Sequence, residues 1–342
     1  VRTNGVGDQS ISYSSSPQIL AGGSAVGPKE GEGPLGKYFD VTKDDALMGL
    51  KSWEQAETQF LLEAMEAALS KDNSKIDDMD FLLAGDLLNQ LIAANYAAEK
   101  ASVPYFGLYG ACSTFAEALI LGAVLVDGGF ADKVLAASSS HFDTAERQYR
   151  YPTEFGAQRP PTAQWTVTGA GAVIVGDPPS SGGSSGPSLT IGTIGKVIDM
   201  GVKDSTNMGG AMAPAAADTI QAHLEDTGRG ADYYDLILTG DLGHSGSKLL
   251  IKLSADNNID LSKNHADCGL MIFDSEQDAH SGGSGAGCSA IVTASKLLQD
   301  MASGEYSKVL LVATGALFSP TSTQQGESIP CIAHAIALEN SG

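Results

Sequence analysis

Cys112 stands where a loop, Leu108-Tyr109-Gly110-Ala111, turns into an apolar run over residues 113–126. A thiol at the first turn of a helix meets unpaired backbone N–H groups and the positive end of the helix dipole, which lowers its pKa and favours the nucleophilic thiolate. A small residue packed at a crowded crossing would suit the same position, so placement alone leaves both readings open. The other three cysteines, Cys268, Cys288 and Cys331, form neither a CxxC pair nor a Cys/His spacing of the kind that holds zinc, and they suggest no disulfide framework. Cys268 and Cys288 read as packing residues, and the cysteine usage as a whole points to a reducing compartment.

The elements that must carry Cys112 occur twice. Asp80-Phe81-Leu82-Leu83-Ala84-Gly85-Asp86-Leu87 returns as Asp235-Leu236-Ile237-Leu238-Thr239-Gly240-Asp241-Leu242. Gly110-Ala111-Cys112-Ser113 returns as Ala286-Gly287-Cys288-Ser289, and Lys133-Val134-Leu135 as Lys308-Val309-Leu310. A period of about half the chain means a duplicated domain and not a solenoid. In the first copy, spacing predicts a helix over 53–69 capped by Ser52, a strand over 81–84, a helix over 113–126 closed by Asp127-Gly128-Gly129, and a strand over 134–137. The second copy repeats the order at 213–224, 236–239, 289–301 and 309–313. Such a series favours parallel sheets covered on both faces. Burying the outer helices of two copies is most economical with the copies face to face, giving an α/β fold of five layers, αβαβα, with a pseudo-twofold axis. The halves are placed at 1–187, including an N-terminal extension over 1–45, and 188–342; the Gly/Ser/Pro segment 176–187 joins them as a surface loop.

Composition narrows the partners. With 342 residues and 42% apolar content the chain can fill a large core. Its 41 acidic against 20 basic residues, a formal charge of -21, repel phosphate backbones and anionic headgroups, so nucleic acid is an unsuitable partner. No apolar run approaches the ~20 residues that span a bilayer, which reads as a soluble chain. Residues 1–16 lack the basic and apolar regions of an export signal.

Three turns then resemble a known superfamily. Gly110-Ala111-Cys112-Ser113-Thr114 looks like the nucleophile turn of thiolases and ketoacyl synthases, Ser281-Gly282-Gly283-Ser284-Gly285-Ala286-Gly287 like their second glycine-rich turn, and Pro330-Cys331-Ile332-Ala333-His334 like the C-terminal Cys-Ile-Gly-Gly-Gly stretch of thiolases. The resemblance spans roughly residues 50–342 and implies the duplicated thiolase-like fold. It also exposes departures. A condensing enzyme needs a base to activate the thiol and donors for the developing oxyanion. The positions where the superfamily places its His and its His or Asn fall here on Gly240 or Asp241 and near Ser284. A carboxylate at Asp241 would raise the thiol pKa. His244 and His334 are the remaining candidates to serve Cys112 in an acyl-transferring enzyme.

A narrower resemblance covers nearly the whole chain. Ala25-Val26-Gly27-Pro28-Lys29-Glu30-Gly31-Glu32-Gly33-Pro34-Leu35-Gly36, Ala84-Gly85-Asp86-Leu87-Leu88-Asn89-Gln90, Thr144-Ala145-Glu146-Arg147-Gln148 and Met212-Ala213-Pro214-Ala215-Ala216-Ala217-Asp218 are similar to the stage V sporulation protein AD family. That resemblance implies a non-catalytic protein that binds dipicolinic acid, pyridine-2,6-dicarboxylate, free or with calcium. It further implies uptake of that acid into the developing spore beside membrane-embedded channel proteins, with this chain held peripherally at the spore inner membrane. Superfamily members usually pair through the region beside the nucleophile, which leaves a homodimer open. No cofactor is expected.

Dipicolinate is a flat ring with two carboxylates, so its site should offer an apolar slot and a cationic fork. Residues 141–161 supply Arg147, Tyr149, Arg150, Tyr151 and Arg159, although these arginines could equally pair with Asp143, Glu146 and Glu154 at the surface. Asp86 and Asn89 follow the first-half strand and Asp241 and His244 the matching second-half strand, at strand ends where α/β sheets commonly bind ligands. Either Asp could instead cap its following helix. With the three turns, the candidate ligand-binding residues are Cys112, Asp86, Asn89, His141, Arg147, Arg150, Asp241, His244, Ser284, Cys331 and His334. His141 is of the type more often found hydrogen-bonded in a core. No EF-hand spacing is present, and no protein-held metal is expected.

Overall fold

Leu82 and Leu83 are sequence neighbours in different cores, and so are Leu310 and Leu311. Side chains alternate across a strand, so a strand buried on both faces is apolar without a gap. The computed structural model, which describes residues 4–149, 159–177 and 186–340, builds two sheets of this kind. The first half contributes β1 (Gln18–Val26), α1 (Trp53–Asp72), β2 (Phe81–Gly85), α2 (Ile92–Ala101), β3 (Tyr105–Gly107), α3 (Thr114–Asp127), β4 (Lys133–Ser140), α4 (Phe142–Tyr149) and β5 (Gly169–Gly176). The second contributes β6 (Ser188–Thr193), α5 (Met208–Thr227), β7 (Leu236–Thr239), α6 (Gly243–Asp256), β8 (His265–Asp267), α7 (Ala286–Val292), β9 (Lys308–Ala316), α8 (Pro320–Gln324) and β10 (Cys331–Glu339).

The strands run β1-β5-β4-β2-β3 in one sheet and β6-β10-β9-β7-β8 in the other, the same order twice. The sheets join at a single antiparallel pair, Ser188 opposite Gln18. Helix α3 packs on its own sheet and also on β9 and β10, while α7 packs on β1, β4 and β5 of the opposite half. The two helices that follow Cys112 and Cys288 therefore form the middle layer, with α1 and α5 outside, and the five-layer αβαβα fold results. Between the sheets lie Phe115, Leu119, Val173, Leu238, Ile291 and Leu311, all fully or almost fully buried.

The expectation of parallel sheets needs correction. β2 is parallel to β3 and β4, and β7 to β8 and β9. β5 runs antiparallel to β1 and β4, and β10 antiparallel to β6 and β9. The connection from β9 to β10 carries only the short α8 and no helix crossing the length of the sheet, and such a direct return is antiparallel.

Helix α1 starts as the spacing predicts, with Ser52 Oγ accepting from the Gln55 N–H at 3.3 Å. Helix α5 begins five residues before the predicted 213, with Pro214 inside it. Its first turn is built for close approach, because a Cβ on Gly209 would lie 2.0 Å from the Leu242 carbonyl oxygen at the start of α6. Glycine carries no periodic apolar signal, so this turn is silent in the sequence pattern. Helix α7 continues through a π-helical turn, Thr293–Leu297, into Leu298–Ser303. No helix of the described residues is long and apolar enough to cross a membrane.

Candidate functional site

Turns from the two halves close over Cys112. Ala111 has φ +53°, a left-handed conformation that costs a non-glycine residue roughly 1–2 kcal/mol. It is held by hydrogen bonds from Ser113 Oγ to Gly110 O and from Thr114 Oγ1 to Ala111 O, both 2.7 Å. The end of β9 presses on this elbow: a Cβ on Gly315 would stand 2.1 Å from Gly110 O. From the other half, Gly283–Ser284 pairs in parallel with Trp165–Thr166, which brings Ser284 to the thiol. Cys112 Sγ and Ser284 Oγ are 4.0 Å apart.

Behind Ser284 lies a buried carboxylate. Asp241 Oδ2 accepts from Ser284 Oγ at 2.7 Å and from the Gly285 N–H at 3.1 Å, and Oδ1 accepts from Thr314 Oγ1 at 2.7 Å. Gln164 Nε2 ties the turn down by donating to Asp241 O and Gly283 O at 2.7 and 2.9 Å. Burial pushes the Cys112 thiol well above its ordinary pKa, and the nearby Asp241 carboxylate pushes it further. The helix-start argument for a thiolate thus loses: desolvation disfavours the charged form, and a like charge adds to it. The thiol meets Ser284 and Asp241, the partners of a neutral thiol, where a condensing enzyme would place bases.

The space above Cys112 is small. Leu87, Ala111, Tyr149, Ser284, Ala316 and Phe318 are among the walls of a cavity of about 40 Å³. At ~10–15 Å³ per water, that holds about three waters. Outside it runs a groove of about 1320 Å³ between α1, α2, α4 and α8. Among the described residues, six side-chain amides line it: Gln55, Gln59, Asn89, Gln90, Gln148 and Gln324. Among the described residues its charged lining is Lys100, Arg147 and Glu54, which is locally net positive within a chain of charge -21. Arg147 pairs with Glu54 and lies over the Trp53 ring, 5.6 Å from its centroid.

Of the sequence candidates, Cys112 and Ser284 line the cavity with Asp241 bonded behind Ser284, and Asn89 and Arg147 line the groove. Asp86 is fully buried and accepts from the Leu88 and Ala94 N–H groups at 2.7 and 2.8 Å, which makes it a cap for α2. His141 is a core histidine: its Nε2 lies 3.0 Å from Ala46 O, and Nδ1 accepts from the Asp143 N–H at 3.2 Å. The second bond leaves the proton on Nε2, which donates to Ala46 O. His244 lies in a separate pocket with Asp274, Asp278 and His280. Cys331 and His334 stand on β10 outside the cavity lining; His334 Nδ1 accepts from the Gly195 N–H, and burial lowers its pKa to about 4. Arg150, Tyr151 and Glu154 lie outside the described residues. Arg159 turns away to Asp278 and Trp165. No group of three or more His, Cys, Asp or Glu side chains that could hold a metal occurs among the described residues.

Sequence reasoning missed Thr314, Gln164, Tyr109, Tyr149 as a wall, and Phe318. Thr314 carries a signal in retrospect, because Thr314-Gly315 breaks the most apolar stretch of the chain at the end of β9. Gln164 belongs to an irregular segment with no period to read.

Duplicated layers around a cysteine elbow define the thiolase-like class of condensing-enzyme folds. The structure is similar to 3-oxoacyl-[acyl-carrier-protein] synthase III from Aquifex aeolicus VF5, with TM-score 0.58 and 14% identity over 95% of this chain and 100% of that one. It is also similar to Xanthomonas campestris OleA E117D, with TM-score 0.63 and 15% identity over 94% of this chain and 96% of that one. Within that class, the family model described as Stage V sporulation protein AD matches residues 7–339, and the chain belongs to this family. Stage V sporulation protein AD of Bacillus subtilis (strain 168) is 49% identical over 324 residues, covering 95% of this chain and 94% of that protein.

Proposed function

We propose that the protein binds dipicolinate without chemistry, taking it up in the amide-lined groove for delivery into the developing spore. The observation that carries this reading is the groove's local charge: among the described residues its lining is net positive although the chain carries -21. Such a site concentrates a small dianion against the field of the whole protein. Arg147 offers a planar fork for one carboxylate, exchanging Glu54 for the ligand, while Tyr96 and Tyr149 offer ring faces and the amides donate to the second carboxylate. What supports the absence of chemistry is Cys112, whose thiol burial and Asp241 push above its ordinary pKa. Family membership supports a role in sporulation. Association with the spore inner membrane through embedded partner proteins, and pairing of two chains at the open edge of β3 beside exposed Phe106 and Tyr109, belong to the same reading.

Calorimetry with the purified chain tests it. Dipicolinate, with and without calcium, is expected to give saturable heat; Arg147→Glu should weaken binding by about tenfold or more, and Glu54→Gln should strengthen it, since a charge-assisted pair is lost in one and a competitor removed in the other. No heat at millimolar dipicolinate in either condition would sink the ligand. A second reading, acyl transfer on Cys112, is favoured only by the retained elbow. It requires a thioester, so intact mass after incubation with acyl-CoA is expected to stay unshifted, and an acyl adduct on Cys112 would overturn the non-catalytic assignment.

A further inference from the structure

Among the described residues, Tyr149 alone lines both the groove and the Cys112 cavity. It lies in α4. Its ring leans on Phe318, with centroids 5.2 Å apart and planes tilted by 43°. Its hydroxyl donates to Leu87 O at 2.6 Å and lies 3.5 Å from the Tyr109 hydroxyl. A dozen-atom ligand does not fit the space behind it: pockets that enclose small molecules are typically ~300–1,000 Å³, against about 40 Å³ here.

We propose that Tyr149 is a gate between the groove and the Cys112 cavity, its ring turning out into the groove to admit a ligand against Cys112, Ser284 and Phe318 and returning to seal the space. The latch is built to break cheaply. Leu87 O also accepts from Gln148 Nε2 at 2.9 Å, so when the Tyr149 hydroxyl leaves, the carbonyl keeps a partner. The hydroxyl then meets water in a groove large enough to take the ring. The contacts that hold it shut are the ring contact with Phe318, just before α8, and the hydroxyl contact with Tyr109, in the loop before the elbow. The open state joins the two spaces, so a flat ring would pass edge-on beside Tyr109 and Phe318. The gate goes beyond the ligand reading and depends on it only for what passes.

Cys112 is its reporter, since all four cysteines are buried and peptide mapping separates them. The whole chain is treated with methyl methanethiosulfonate, which is small, and with dithiobis(nitrobenzoate), which carries aromatic rings, and each rate is divided by that of a free thiol. In the wild type the bulky reagent is expected to lag the small one by about tenfold or more. Tyr149→Ala should raise the bulky-reagent rate by about fivefold or more and shrink the gap to about threefold. Tyr149→Phe, which loses the latch and keeps the plug, should accelerate both reagents about equally. A bulky-reagent rate in Tyr149→Ala below about five times wild type, in protein with native circular dichroism, overturns the gate. If that variant does not fold, Tyr149→Leu carries the same criterion. Dipicolinate calorimetry run alongside separates the two claims: no heat with the size discrimination intact sinks the ligand and leaves the gate, and heat without discrimination does the reverse.

Discussion

Glu57→Gln is expected to stabilise the protein at pH 9 by roughly 3–5 kcal/mol and to leave it nearly unchanged at pH 5. Glu57 of α1 is fully buried and meets no cation among the described residues; its carboxyl accepts from Ser139 Oγ at 3.2 Å and from Thr144 Oγ1 at 2.8 Å. Burial first, and then the charge of Asp86, raise its pKa to about 8. The folded state therefore keeps this proton to a higher pH than the unfolded chain does. Below the ordinary carboxyl range both states are protonated and the group is neutral in its effect. As pH rises from about 4.5 to about 8 the unfolded chain gives up the proton and the fold does not, so stability falls through that window and then levels. An amide copies the protonated acid in shape and bonding and removes the penalty. Thermal midpoints from pH 5 to 9 check this: the wild type should lose stability across the window and Glu57→Gln should lose much less. Parallel curves would show that Glu57 is not the titrating group. Asp86, raised to about 6, adds a smaller slope of the same sign that both proteins share.

The second large effect is at Asp241. Replacing it with Asn removes the charge that helps hold Cys112 protonated, so the pH profile of Cys112 alkylation should move to lower pH, and the rate at a fixed pH below the pKa should rise severalfold. Burial still acts on the thiol, so its pKa is not expected to reach the range of an activated nucleophile. The price is structural. Three donors converge on the carboxylate, from Thr314, Ser284 and Gly285, and an amide oxygen cannot serve all of them while its NH₂ faces a donor, which should cost about 1–3 kcal/mol of stability. A faster, less stable variant is the expected pair of results. Unchanged alkylation would mean that desolvation alone sets the thiol. If Asp241→Asn acquired acyl-CoA reactivity, the carboxylate would be what keeps the elbow silent.

Much of the frame was legible because it depends on local pattern. Duplicated Gly-Asp-Leu strand ends, unbroken apolar strands and an apolar helix after each cysteine specify buried strands and a middle helix layer, whatever else surrounds them. Antiparallel β5 and β10 were not legible, because a connection's path leaves no period in the strand it feeds. The early start of α5 was hidden for a related reason: Gly209 and Gly246 make the α5–α6 crossing possible by what they lack.

At the site, the sequence by itself placed Cys112 at an elbow, put a carboxylate in the position of a missing base, and named Ser284 in the facing turn. Those are properties of residue type and order. Only the tertiary structure decided that Asp86 is a helix cap, that His141 is a core histidine, that His244 and His334 stand apart from Cys112, and that Tyr149 lines both a small cavity and a large groove. Those outcomes depend on which side chains from distant segments share a volume, and burial then sets their charge. Cys112 shows the rule most directly: the helix start that favours thiolate is written in the sequence, while the desolvation and the Asp241 charge that outweigh it exist only once both halves have packed.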